Sequence, residues 1–360
     1  MKVGVHKVAM NAPDDASGLV ALVESGAVDA KAIVAVIGKT EGNGGANDFT
    51  RGFATLSFAL ALAPHRGQSA EDVMREIAFV WSGGTEGVLS PHATVFTRSR
   101  DAGGETAPGG RLALGLAMTR DMRPEEIGTM VHVTEVAAAV KNALADAGIG
   151  DPSDVHYVQV KGPLLSPAKI ADADGRGRKV VTRDPNGSKP YARGAMALGV
   201  ALGLGEVDEA KVSEETIAAD MSVFSRIAST SAGGELTKCE ILLFGNSTSA
   251  TSDCRIGHAV LSDAIDADGV RRALVSAGLG ETDDPDRILA VFAKGEAAPS
   301  IRGRRTTMMS DADIHFERHA RAAAGAVIAS VTGDPAIFLS GGTEHQCAPG
   351  EAPIAAIVKA

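Results

Sequence analysis

Residues 82–87 read SGGTEG and residues 340–345 read SGGTEH. Gly and Ser are common turn residues, so chance alone could produce such a pair. A repeated unit is the more restrictive explanation, and it requires a third copy in between. The segments upstream supply that test. IVAVIGK (33–39), VHYVQVK (155–161) and ILAVFAK (288–294) each begin with a branched aliphatic, carry Val fourth and end in Lys. Such short β-branched runs form buried strands. Ahead of them, SGLVALVESG (17–26), VAAAVKNALADAG (136–148) and DGVRRALVSAG (268–278) have helical period. Each ends at Gly, a favoured helix C-cap. After the lysine, FTRGFATLSFALAL (49–62), YARGAMALGVALGL (191–204) and FERHARAAAGAVIA (316–329) open aromatic-x-Arg and continue as Ala-rich helices. A short apolar strand then reaches Ser82, Ser231 or Ser340.

The third copy of the hexapeptide is therefore SAGGEL, residues 231–236. Every unit reads strand, helix, strand–Lys, Arg–helix, strand–Ser, strand. The lysine-to-serine separations are 43, 70 and 46 residues, so the middle unit carries an insertion. Its charged stretch GRGRKVVTRDPNGSK fits a surface loop. Polar, Gly- or Ser-rich segments at 100–110 and 246–253 mark the boundaries. The expectation is an α/β protein of three similar repeat units, 1–103, 108–247 and 253–360, about a pseudo-threefold axis, with strands central and helices outside.

Composition limits the rest. Hydrophobic residues are 44% and aromatics only 4%, so the core must be largely aliphatic. No apolar run approaches the roughly 18 residues needed to cross a bilayer. The start of the chain has no secretory pattern, and Cys239, Cys254 and Cys347 form no CxxC. A cytoplasmic protein with no membrane partner is expected, its cysteines serving as packing residues. A net charge of −10 argues against nucleic-acid binding. The histidines lack HExxH-type spacing, and GKTEGNGG lacks the order of a phosphate loop.

One lysine at a strand end is ordinarily a surface residue, and one SGG is ordinarily a turn. Three copies are another matter, because hydrophobic periodicity does not require polar residues at the ends of buried strands. Packed about a threefold axis, Lys39, Lys161 and Lys294 converge, together with Ser82, Ser231 and Ser340 and with Arg51, Arg193 and Arg318. Like charges and burial both disfavour ammonium and lower a lysine pKa. A serine beside a neutral lysine is an activated nucleophile. The following Gly83 and Gly341 would let backbone N–H groups approach a bound oxygen. Arginines at the rim would hold carbonyl oxygens or an anionic ring. The ligand so implied is small and oxygen-rich.

GKTEGNGGANDFTRGFAT, FVWSGGTEGVLSPHATVF, VQVKGPLLSPAKI, VFAKGEA, LSDADI and SGGTEHQ together resemble the cyanuric acid hydrolase and barbiturase family of ring-opening amidases, over essentially the whole chain. The resemblance implies one central site to which each unit contributes a Lys–Ser pair. It makes Ser231 the nucleophile and Lys161 its base. Lys39 with Ser82, and Lys294 with Ser340, would bind and polarise the other carbonyls. It further implies a structural Mg2+ or Ca2+ held by Glu296 and Gln346, no organic cofactor, and a homo-oligomer, a tetramer in that family. The tail CAPGEAP (347–353) departs from the family's glycine- and proline-rich loop at that metal. Cyanuric acid is the substrate expected, because three equivalent carbonyls match three Lys–Arg–Ser sets. Barbituric acid is the alternative within the family. A non-catalytic binding protein for a small anionic metabolite is the alternative outside it.

Overall fold

The computed structural model describes residues 1–100, 103–280 and 282–360. Of the boundary segment expected at 100–110, Asp101 and Ala102 lie outside the described residues. The first sheet contains β1 (Lys2–Ala9), β2 (Ile33–Thr40), β3 (Ala78–Gly83) and β4 (His92–Ser99). The second contains β5 (Arg111–Met118), β6 (Val155–Pro163), β7 (Ala228–Gly233) and β8 (Glu240–Ser247). The third contains β9 (Cys254–Leu261), β10 (Ile288–Gly295), β13 (Phe338–Gly341) and β14 (Ala352–Lys359), with a small hairpin of β11 (Ser300–Ile301) and β12 (Arg304–Arg305) set apart. All three sheets have the same order: β1-β4-β2-β3, β5-β8-β6-β7 and β9-β14-β10-β13. Each lysine strand runs parallel to its serine strand and antiparallel to the last strand of its unit.

The helices follow the periodicity read from the sequence. They are α1 (Ser17–Glu24), α2 (Thr50–Arg66), α3 (Ala70–Glu76), α4 (Met130–Ala147), α5 (Pro167–Gly175), α6 (Ser188–Leu204), α7 (Ala267–Ala277) and α8 (Phe316–Thr332). Gly148 and Gly278 stop α4 and α7 in the left-handed conformation that a Cβ disfavours. The insertion of the middle unit holds α5 and then a stretch without helix or strand at 176–187. No helix among the described residues is long and apolar enough to cross a membrane.

A β-bulge recurs at one place in every unit. Pairing slips between Ile33 and Ala35, between Val155 and Tyr157, and between Ile288 and Ala290. The extra residue re-phases the strand. Side chains then alternate between faces, so Ala35 and Ile37, Tyr157, and Ala290 and Phe292 enter one cluster made of strand residues from all three sheets. Val36, Val160 and Val291 point the other way, into separate sheet–helix cores. The sheets are thus central and the helices peripheral. The inward rows continue to Lys39, two residues beyond Ile37, to Lys161, four beyond Tyr157, and to Lys294, two beyond Phe292.

Few aromatics are available, and several sit at the axis. Phe292 contacts Phe96 of the first unit, Tyr157 and Phe244 of the second and Phe338 of its own, at centroid distances of 5.1–6.3 Å. Phe292→Ala should therefore loosen all three units at once. The expected loss is about 3–5 kcal/mol, read as a lower denaturation midpoint with the transition still single.

Candidate active site

The parallel pairing sets each lysine opposite its serine: Lys39 with Ser82, Lys161 with Ser231 and Lys294 with Ser340. All three lysines are buried. A buried ammonium or amine must find acceptors, and each finds one in the neighbouring unit. Lys39 Nζ donates to the Leu339 carbonyl at 2.7 Å, Lys294 Nζ to the Thr230 carbonyl at 2.8 Å and Lys161 Nζ to the Trp81 carbonyl at 3.1 Å. Leu339, Thr230 and Trp81 each precede the serine of their own unit. The three contacts form a closed ring from first unit to third, third to middle and middle to first.

The serines are not equivalent. Ser82 Oγ accepts from Lys39 at 3.2 Å and Ser340 Oγ from Lys294 at 3.0 Å. Ser231 Oγ is buried and has no hydrogen-bond partner among the described residues. Lys161 instead lies 3.5 Å from the carboxylate of Glu235.

The structure corrects the third arginine. Arg318 lies half exposed at the rim and bonds Glu86. Arg321, one turn on, is buried beside Arg51 and Arg193 in the cavity wall. Counting from Arg51, Arg193 and Arg321, positions +3, +7 and +11 are buried in every unit: Ala54, Phe58, Leu62; Met196, Val200, Leu204; Ala324, Ile328, Thr332. That spacing identifies Arg321, whereas the aromatic-x-Arg pattern selects its neighbour.

The arginines are also occupied. Arg193 makes two bonds of 2.7 Å to Glu344, Arg321 bonds Glu86 at 2.8 and 2.7 Å, and Arg51 bonds Glu235 at 3.1 and 3.5 Å. These form a second ring, running in the opposite sense to the lysine ring. Glu86, Glu235 and Glu344 are the fifth residues of the three hexapeptides. They are functional positions the sequence reading passed over, although the glutamate recurs in every copy. The arginines act first as braces between units and not as free rim cations.

Burial is the largest cause of the lysine shifts. It brings Lys161 down to about 8 and Lys294 to about 7, and holds Lys39 well below the usual lysine range. Repulsion between lysines, expected above, is secondary. The cation acting on Lys161 is Arg51, opposed by Glu235. Glu235 itself is held down at about 2 by Lys161 and Arg51.

Ser82, Ser231, Ser340 and the three buried arginines line a polar cavity of about 30 Å³; of the three repeated lysines only Lys161 lines it. It opens beneath a wider mouth of about 460 Å³. Gly83 and Gly341 line the wall. A Cβ on Gly83 would stand 1.6 Å from the Asp48 carboxylate, and one on Gly341 would stand 2.9 Å from Arg321. These glycines admit close packing of neighbouring side chains. The middle unit has Ala232 in their place.

Glu296 is partly buried; that desolvation first, and then the neighbouring Glu344 carboxylate, raises its pKa to about 7, and it accepts a hydrogen bond from Thr343. A carboxyl group raised by a second carboxylate is one that a hard cation would relieve. Gln346 fits less directly. Its Oε1 accepts from the Thr230 amide at 2.7 Å, while its Nε2 donates to the Gly342 and Glu344 carbonyls at 3.3 Å. No group of three or more His, Cys, Asp or Glu side chains placed to hold a metal occurs among the described residues. The three cysteines are buried, and burial pushes the Cys254 thiol up to about 12.

Residues 4–359 match the family model described as amidohydrolase ring-opening protein. The chain is 70% identical, over the full length of both proteins, to a cyclic amide hydrolase of Azorhizobium caulinodans. It is 44% identical to barbiturase 1 of a Nocardioides species, over 99% of this chain and 98% of that one. A solved cyanuric acid hydrolase superposes with a TM-score of 0.95 at 50% identity, covering 100% of this chain and 99% of the other. The chain therefore belongs to the ring-opening amidohydrolase family and is a hydrolase of cyclic amides.

Proposed function

We propose that the protein opens cyanuric acid by nucleophilic attack of Ser231, with Lys161 as the base. The observation that carries this reading is the unpartnered Ser231 hydroxyl in the cavity, next to two serines already committed to their lysines. Neutral Lys161 takes the proton from Ser231 Oγ as that oxygen bonds a ring carbonyl carbon. The C–N bond then breaks, and the ring nitrogen receives the proton. Water hydrolyses the resulting acyl-enzyme and releases carboxybiuret, which loses CO2 to give biuret. Ser82 and Ser340, backed by Lys39 and Lys294, hold the two remaining carbonyls. Lys161 suits both halves of the task because a group titrating near 8 can accept and return a proton near neutrality.

Barbituric acid remains the second reading, favoured by the barbiturase relative; it would present the same carbonyl to the same hydroxyl. Ser231→Ala and Lys161→Met should each reduce kcat by at least about 10³-fold while the fold is retained. Ser82→Ala and Ser340→Ala should chiefly weaken binding. Product identification on cyanuric, N-methylisocyanuric and barbituric acids checks the substrate. Normal turnover by the Ser231 variant would overturn the reading.

A structural Mg2+ or Ca2+ is proposed at Glu296, with carbonyls of the 342–346 turn and Gln346 completing the set. Such a cation would fix the turn that abuts Thr230, beside the nucleophile. Chelation should lower the melting temperature by several degrees, as loss of a folded-state ligand does. Glu296→Gln should be indifferent to the chelator.

We also propose a homo-oligomer, a tetramer in keeping with the family resemblance, assembled through α2. Phe49, Phe53, Leu56 and Leu60 form an exposed stripe on that helix. The same face of α6, with Tyr191, Ala195, Leu198 and Leu202, is covered by Val207, Val212, Ile217 and Val223 of the segment that follows α6. No corresponding cover exists over α2 among the described residues, and an apolar stripe of this size marks a contact surface. Leu56→Asp should yield a smaller species in sedimentation.

A further inference from the structure

Besides the dyad, the middle unit contains an ionisable group in a place where the other units have none of its kind. Glu240 begins β8 and lies directly opposite Lys161 in the antiparallel pairing of β6 and β8. Residues opposite one another in such a pair project on the same face. The matching position in the first unit is His92, opposite Lys39. His92 is bonded to the Ser90 carbonyl, and burial brings it down to about 4, so it stays neutral. In the third unit the pairing of β10 with β14 ends at Ala293 and Ile354, short of Lys294. Only the middle lysine has a carboxyl group across the strand.

Glu240 is buried, and its Oε2 has no hydrogen-bond partner among the described residues. The Phe79 backbone on β3 of the first unit lies beside the side chain and favours its charged form. The charged groups acting on it are Lys238 before β8, Lys161 on β6 and Glu235 in the turn after β7. Lys161 in turn feels Glu235, Arg51 on α2 and Asp48 ahead of α2. Glu235 is shared with Arg51, whereas no ion pair engages Glu240 among the described residues.

We infer that Glu240 is a positioning residue for Lys161, a second carboxylate that adds to Glu235 in raising the proton affinity of the lysine and so tunes the pH at which Lys161 becomes a base. This rests on the reading of Lys161 as the base. The chemistry gives it a purpose. Burial alone would drive Lys161 so low that it could accept a proton from Ser231 only weakly and could not hold it for the leaving nitrogen. A neighbouring carboxylate restores the balance.

The placement carries a stability penalty, as functional groups often do. Burial raises Glu240 to about 7, above its unfolded value. The stability tied to its protonated form is complete below the unfolded value and is lost as pH rises through about 7. A role in stability alone would be served better by a neutral side chain.

Glu240→Gln keeps the size and shape of the side chain and removes its charge. The titration of Lys161 would be followed by NMR of 13Cε-labelled lysine in a Ser231→Ala background, alongside the pH profile of kcat/KM in the otherwise native enzyme. Expected for Glu240→Gln is a fall of roughly one pH unit in both the Lys161 midpoint and the ascending limb. Glu240→Asp, which keeps the charge, should stay near the parent in both. Melting temperatures of Glu240→Gln should equal the parent's at pH 5 and exceed them at pH 8. An unmoved midpoint and limb, with melting temperature simply lowered at every pH, would make Glu240 structural and overturn the inference. A midpoint that falls while the limb stays fixed would leave the coupling standing and remove Lys161 from the role of base.

Discussion

Three amino groups buried at the ends of three strands dictate the arrangement around them. A polar nitrogen out of water costs several kcal/mol unless it is hydrogen-bonded. Each lysine meets that demand with a carbonyl on the edge of the next sheet, and Lys294 adds the Gly341 carbonyl of its own. The consequence reaches beyond the lysines. Three sheets have to meet edge to end around the axis, each hexapeptide turn has to follow at once, and the glutamate closing each turn falls within reach of the arginine from the adjoining unit. Lysine contacts pass round the ring in one sense and arginine–glutamate pairs in the other. Any pair of units is thereby joined twice, by a neutral-type bond below the cavity and a charge-assisted pair at its wall.

Much of this could be read from the chain itself. The recurrence of Lys, Arg and Ser at matching places in β2–β3, β6–β7 and β10–β13 was legible because strand alternation leaves no apolar reason for a lysine at that position. Arg321 was not legible from the pattern used, since Phe316-Glu317-Arg318 imitates the aromatic-x-Arg opening of the other units. Only the burial periodicity of the helix separates the two. Glu86, Glu235 and Glu344 were visible as letters but not as partners, because an arginine–glutamate contact between units is set by three-dimensional closure. The bulges at Val34, His156 and Leu289 were invisible for a related reason: a one-residue slip has no compositional signature in an aliphatic run. Glu240 was passed over because a lone glutamate after a cysteine gives no sign of being buried.

The departure from symmetry is concentrated in the middle unit. Its hexapeptide has Ala232 for glycine, its serine is unpartnered, and its lysine faces the cavity and a carboxylate. Two units hold a closed Lys–Ser bond suited to gripping an oxygen. One holds the components apart, ready for proton transfer. Joining three units in one chain is what permits this, since identical subunits would carry three identical Lys–Ser pairs. The segment that packs over α6, with Val212, Ile217 and Val223, belongs to the same unit.

The cross-unit satisfaction of the lysines has a consequence for how the chain acquires its structure. Lys39 is completed by the carbonyl of Leu339, three hundred residues further along. Neither the first unit nor the first two together can silence that amine, and the open edges of β3 and β7 stay unpaired with it. Folding therefore cannot end as a sum of finished pieces. The sheets can form early from local contacts, but the central cavity closes only when the last strands arrive, and contacts of such long range are slow to make. Until then the chain carries exposed sheet edges of the kind that invite mispairing. The short length of β3 and β13 and the charge beside them limit that exposure. The most symmetrical part of the molecule is thus the last to be assembled.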